Sequence, residues 1–450
     1  MINILRGDQN NIAPVCWSRV TQSLRRYSNA LKNMATNRSQ SPVIKILLGL
    51  NRSNMEIGQI PARSVRKFTK DGAKELIHEG HNVLIQDLFL FRIMYKNFLK
   101  QNINILTRND IYGTDRCLSF GQFDGSMRYK GEAGFRGADQ PKQYVAGDRF
   151  VCDFDDATIL GPVGPGLTKE GTVIADTVGS PPLVSRRTGV SLAQSISKNG
   201  IRPTLNALQG EATYTDKIDV AAHAVSPWNN YYHWSVECLL RVRLLEQYGD
   251  RTGTYPTLLV PNKRPSWIDE SLELINYTGD IAGLKSGVVD VEKLVVPTFP
   301  DPIPQECAWI QDRMREQVTT SGEQNQRVFV ARQDATVRRI ANRDAVQQVF
   351  DRYNIDTYLL GELSVKEQIS LFSDAEVVVG PHGAGLTNIL YGSDLTVIEL
   401  FGDKTMATFD RLAESMSHEY RYLQCEQAGL DIRVDAKELE ATLRDVLTTD

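Results

Sequence analysis

The stretch Val377-Val-Val-Gly-Pro-His-Gly-Ala-Gly385 decides the reading of the fold. Val377–Val379 are consecutive apolar residues after Glu376, the pattern of a strand buried on both faces of a parallel sheet. The chain then runs through Gly380-Pro-His-Gly-Ala-Gly-Leu-Thr-Asn388 into a helix expected to begin near Gly385. Gly383 and Gly385 let backbone approach a ligand closely, and a helix start offers unpaired N–H groups and a positive dipole end. Phosphate is the natural guest of such a turn. His382 can hydrogen-bond a phosphate or sugar oxygen. Glu399, at the end of the next predicted strand, can accept both hydroxyls of a ribose.

Outward from this turn, strand and helix alternate. Val328–Ala331, Asp356–Leu360, Glu376–Gly380 and Thr396–Leu400 read as strands. Asn342 is placed to cap a helix running to Tyr353, and Ser364-Val-Lys-Glu367 is a capping box opening the next. Lys404–Ser417 and Asp435–Leu447 read as the last two helices. Upstream, strands are expected at Asp219–Val225, Thr257–Val260 and Lys293–Val296, with helices at Asn230–Tyr248, Ser266–Asn276 and Pro304–Thr319. The polar Ser321–Gln326 joins the two series. The expectation is an α/β chain with two doubly wound half-domains facing a cleft, where ligands sit beyond the carboxyl ends of the strands.

Those strand ends supply the other candidates. Arg332 follows Val328–Ala331 directly, and Arg338 and Arg339 lie in the loop after it; a guanidinium fork suits two phosphate oxygens. Trp228-Asn-Asn-Tyr-Tyr-His-Trp-Ser-Val-Glu237 opens the first long helix of the preceding half. His233 falls in its first turn with Glu237 at i+4 on the same face. A neutral imidazole there can take a proton from a hydroxyl while Glu237 orients it, and the surrounding Trp228, Tyr231, Tyr232 and Trp234 can stack on a sugar ring. His78, His81, His223 and His418 have no partners at ligand spacing and read as structural. Asp153-Phe-Asp155 matches a metal-holding Asp-x-Asp, but it precedes the nucleotide-binding half, whereas such a pair should follow one. No metal site is expected.

At 450 residues the chain exceeds one ordinary core. Residues 1–130 carry 20 Lys and Arg against 9 Asp and Glu, so the net −4 of the whole leaves −15 for the remainder. Such asymmetry points to an anionic partner, a phospholipid surface or nucleic acid, or to a basic face packed on the acidic remainder. Six scattered cysteines (Cys16, Cys117, Cys152, Cys238, Cys307, Cys425) predict reduced thiols in a cytosolic protein. The start lacks the pattern of a signal peptide. The longest apolar stretches, Val43–Leu50 and Asn82–Met94, are interrupted by Lys45, Gln86, Asp87 and Arg92, so any membrane contact is expected to be peripheral. In the front segment Ser18–Met34, Asp71–Gly80 and Phe89–Leu99 read as helices without assignable chemistry.

These blocks together resemble glycosyltransferase family 61. The resemblance rests on Asn230-Tyr-Tyr-His-Trp-Ser-Val-Glu-Cys-Leu-Leu-Arg241, on Phe329-Val-Ala-Arg332 with Arg339 and Asn342, on Leu363–Gln368, and on Ala375–Tyr391 with Val397-Ile-Glu-Leu400. It covers residues 145 to 430. It implies a GT-B-like pair of Rossmann-type domains and an inverting, metal-independent transfer from a nucleotide-sugar, in particular a UDP-sugar, to a glycan or lipid-linked acceptor in surface-polysaccharide synthesis. Donor contacts then fall to Arg332, Arg339, His382, Gly383, Ala384, Gly385, Asn388 and Glu399; His233 and Glu237 match the family's first motif. The implied organisation is a basic extension (1–135), an acceptor-side half (136–320), a nucleotide-sugar half (321–430) and a closing helix (431–450). The implied setting is cytoplasmic, with residues 1–135 on an anionic membrane surface and no nucleic-acid partner. Ser235-Val236 departs from the Leu or Phe that often follows His-Trp in the family. Rival readings are an NAD-dependent oxidoreductase, which Asn388 in place of a third glycine disfavours, a UDP-sugar epimerase, and a catalytically dead carbohydrate-binding protein.

Overall fold

The structure, a computed structural model, describes residues 103–120, 148–179 and 184–447, all within one compact unit spanning 82–450. The helices expected at 18–34, 71–80 and 89–99, Cys16, His78 and His81 lie outside these residues.

Two sheets organise the described chain. The first comprises β1 (Ile105–Leu106), β2 (Cys117–Ser119), β3 (Phe150–Gly161), β4 (Gly166–Leu167), β5 (Val173–Ile174), β6 (Asp216–His223), β7 (Thr257–Pro261), β8 (Ile281–Leu284) and β9 (Gly287–Pro297). Their spatial order is β1-β5-β4-β3-β9-β6-β7-β8, with β2 paired to β3. This sheet is mixed, because β3 runs antiparallel to β9 along ten register pairs while β9, β6, β7 and β8 are parallel neighbours. The all-parallel half expected here is therefore only part of a larger sheet. Helices Val184–Asn199 and Ile201–Leu208, which the sequence reading left unassigned, precede β6.

The second sheet is wholly parallel: β10 (Gln326–Val330), β11 (Asp356–Tyr358), β12 (Ala375–Pro381), β13 (Thr396–Phe401) and β14 (Glu419–Gln424), in the order β11-β10-β12-β13-β14. Its apolar residues alternate between faces, as a period of two requires. Val328, Val330, Val378 and Val397 pack on Val365, Ile369, Phe372, Leu386 and Phe409. Phe329, Val377, Val379 and Ile398 pack on Val346, Val349, Phe350, Leu439 and Leu443 from helices Arg343–Arg352 and Ala436–Leu447. The closing helix thus belongs to this sheet's core. Doubly wound sheets of this order place their crevice where the strand order reverses, here between β10 and β12.

Two local expectations are met in different ways. Ser364 caps Val365–Ser373 as a capping box, its backbone N–H donating to Glu367 Oε2 at 2.7 Å. Asn342 holds the N-cap position of Arg343–Arg352, but its side chain bonds both backbone groups of Val434 instead, at 2.8 and 3.0 Å. It ties the last strand region to the sheet.

One apolar cluster joins the two sheets, running from Val151, Ala222 and Leu258 through Trp234 and Leu239 to Val328, Tyr391 and Val397. Cys117 and Cys152, opposite one another in the β2–β3 register, form a disulfide. This overturns the expectation of reduced thiols for these two and removes the support it lent to a cytosolic setting; strand register, not sequence spacing, brings them together. Cys238, Cys307 and Cys425 are free and buried. Among the described residues no helix is long and apolar enough to cross a membrane.

Candidate active site

The crevice between β10 and β12 is lined by the residues that leave those two strands. Arg332, just beyond β10, crosses Gly383, just beyond β12, so closely that a Cβ on Gly383 would overlap its guanidinium. A Cβ on Gly385 would stand 2.8 Å from Val330 Cγ1. Neither glycine has a left-handed φ. Both are tightly packed inside the protein, against Arg332 and against Val330. Ala384 opens a 3-10 helix, Ala384–Tyr391, where an α-helix was expected.

Arg332 forms no ion pair with a described residue; its Nε donates to Val337 O at 3.4 Å. Burial lowers its pKa, opposed by Asp334. A half-buried guanidinium with no ion pair among the described residues is costly to leave so and favours an anion. Arg339 differs. Its Nη2 stands 3.4 Å from Asp431 Oδ2, and its backbone N–H donates to Asp431 Oδ1.

His382 follows β12, its ring stacked on Phe401 and tilted against Phe409, both at 5.4 Å between centroids. Its Nδ1 faces Glu399 Oε1, and Tyr420 donates to Glu399 Oε2 at 2.6 Å. Glu399 is fully buried. With both oxygens taken, it does not present the open carboxylate expected for a ribose, and its visible work is to orient His382. Burial and the adjacent Glu399 push the Tyr420 phenol far above its usual range. Asn388 is also fully buried: it donates to Gln368 Oε1 and Gly385 O, and accepts from Tyr231 at 3.2 Å. It bridges the two sheets' elements from inside and is not exposed for donor contact.

On the facing side, Asn230 caps the short helix Tyr231–His233, accepting from His233 N–H at 3.1 Å. The next five residues, Trp234–Cys238, form a π-helical turn, a feature that recurs at functional sites. His233 Nδ1 stands 2.8 Å from Glu237 Oε2, an ion-pair contact off the ideal hydrogen-bond line. Its Nε2 bonds to no described residue. Glu237 is buried and clamped by Arg187, which sequence reading missed because nothing in Val184–Asn199 marks one arginine as buried. Burial alone would raise the Glu237 carboxyl, but His233 and Arg187 outweigh it and hold it at about 2.

A run of rings connects the two sides. His233 meets Tyr232 at 5.5 Å, Tyr232 meets Phe409 at 5.7 Å, and Phe409 meets His382. Aromatic packing thus links His233 to His382.

Other candidates resolve as structural. Burial and then Arg241 lower His223 to about 3, while His418 spans Ile389 O and Leu395 N–H. Asp153 accepts from Tyr248 and both Asp153 and Asp155 lie near Lys293. Among the described residues no group of three or more His, Cys, Asp or Glu is placed to hold a metal.

Fold and crevice define a doubly wound α/β protein whose switch point presents an unpaired arginine beside a carboxylate-held histidine. The model of the family Glycosyltransferase 61 matches residues 231–398, and this match supports assigning that segment to the family. The matched segment holds both histidine–glutamate contacts except Glu399, one residue beyond it. No curated protein matches the chain.

Proposed function

We propose that the chain is an inverting glycosyltransferase of GT-B arrangement, moving a sugar from a UDP-sugar to a glycan or lipid-linked acceptor. The observation that supports this is the run of rings from His233 to His382, which links the two residues read as base and phosphate contact.

In this reading Arg332, Arg339 and His382 take the diphosphate, with Glu399 holding His382 through Nδ1 so that Nε2 faces the ligand. His233 Nε2 removes the acceptor hydroxyl's proton. The acceptor oxygen bonds to the anomeric carbon as the bond from that carbon to the diphosphate oxygen breaks, and attack from the opposite face inverts the centre. The electron pair leaves with the nucleoside diphosphate, whose charge the guanidinium groups meet. The net +11 of residues 1–130 suits an anionic membrane surface holding a lipid-linked acceptor.

The test is nucleotide release from the intact protein offered UDP-, GDP- and dTDP-sugars. Release from a UDP-sugar, with product of inverted configuration, is expected. No release from any donor, with stabilisation by NAD alone, would overturn the proposal.

A further inference from the structure

Arg187 precedes the matched segment and is central to the cleft's acceptor side. It lies on the helix Val184–Asn199 with its side chain buried. Its Nη1 and Nη2 donate to Glu237 Oε2 and Oε1 at 2.8 and 2.7 Å, a bidentate fork. Its guanidinium carbon stands 5.1 Å from the Trp228 ring centroid and 5.0 Å from that of Phe299. The same Trp228 stacks on His233 at 5.3 Å. One indole therefore supports both the base and the cation behind it.

We propose that Arg187 is the positioning residue of the base: it fixes the Glu237 carboxylate so that Oε2 faces His233 Nδ1–H, and its charge offsets that carboxylate's pull on the imidazole proton. This rests on the reading of His233 as the base. An uncompensated carboxylate beside an imidazole stabilises the imidazolium; a guanidinium sharing that carboxylate cancels much of the effect. The charged and titratable groups around His233 are few. Glu237 comes from its own turn and Arg187 from the helix before β6. Arg241 lies one turn beyond, its Nε donating to Glu237 O at 3.0 Å. Tyr232 packs against the ring, and Arg411, on Thr408–Ser415, acts on Tyr232. With Arg241 and Arg411 left in place, removing Arg187 shifts the balance at His233 toward the protonated form.

The experiment is kcat/KM against pH for the full chain carrying Arg187→Gln, Arg187→Lys or His233→Ala, with UDP affinity measured alongside. Arg187→Gln is expected to move the acid limb up by about one pH unit, losing about tenfold well down that limb, about threefold near neutrality and recovering at alkaline pH, with UDP affinity unchanged. Arg187→Lys keeps the charge but not the fork, so its limb stays in place while kcat falls. A uniform loss at every pH in Arg187→Gln would overturn the proposal. So would a limb displaced by a full unit in Arg187→Lys, which decides the matter should the Gln variant not fold. Transfer retained by His233→Ala would instead remove the base assignment itself.

Discussion

The described chain contains two histidine–glutamate pairs, and they are held in opposite ways. Glu237 has its charge neutralised by Arg187, and its histidine is a fifth exposed, with Nε2 turned away from the carboxylate. Glu399 is fully buried, shared between His382 and Tyr420, with no arginine on it among the described residues. The same residue pairing is thus built in two ways, set by what stands behind the glutamate: a guanidinium at Glu237 and a phenol at Glu399.

The largest break in this comparison is expected from His233→Ala. It should lower kcat by about 10²–10⁴-fold, the range of a lost general base, and leave UDP affinity within about twofold. Stopped-assay turnover with titration calorimetry checks both. Next is Gly383→Ala. The added methyl cannot coexist with the Arg332 guanidinium as placed, so UDP should bind about tenfold more weakly while kcat at saturation is little changed. Unaltered affinity would remove Arg332 from the donor site.

How much of this was legible in sequence depends on the range of the interaction. Four of the second sheet's five strands were readable, because buried parallel strands announce themselves as apolar runs such as Val377–Val379; the edge strand Glu419–Gln424 was not. The His233–Glu237 contact followed from i, i+4 spacing. Long-range partners did not follow: Arg187 reaches Glu237 across 50 positions, and Tyr420 reaches Glu399 from a strand whose polar sequence, Glu419-Tyr-Arg-Tyr-Leu-Gln424, hid it. Roles inferred from position alone were revised. Glu399 and Asn388 stand where a ligand contact was expected, but burial and existing partners occupy them.

A smaller effect lies at Asp410, beside Phe409 on the cleft floor. Burial, with Glu414 adding to it, raises its carboxyl to about 7. A carboxyl raised on folding favours the folded state below its unfolded value and loses that contribution as pH rises through the folded one. Asp410→Asn mimics the protonated form. It should therefore match the parent near pH 4 and gain about 2 °C in Tm at pH 8, by thermal melts across that range. An equal Tm difference at both pH values would show that Asp410 does not titrate in this window.

The most direct test of the two-pair account is UDP affinity and turnover measured together on His233→Ala and His382→Ala. The account predicts a split: His233→Ala binds UDP as the parent does and loses about 10²–10⁴-fold in kcat, while His382→Ala loses about tenfold in UDP affinity. Weakened UDP binding in His233→Ala together with full affinity in His382→Ala would contradict it.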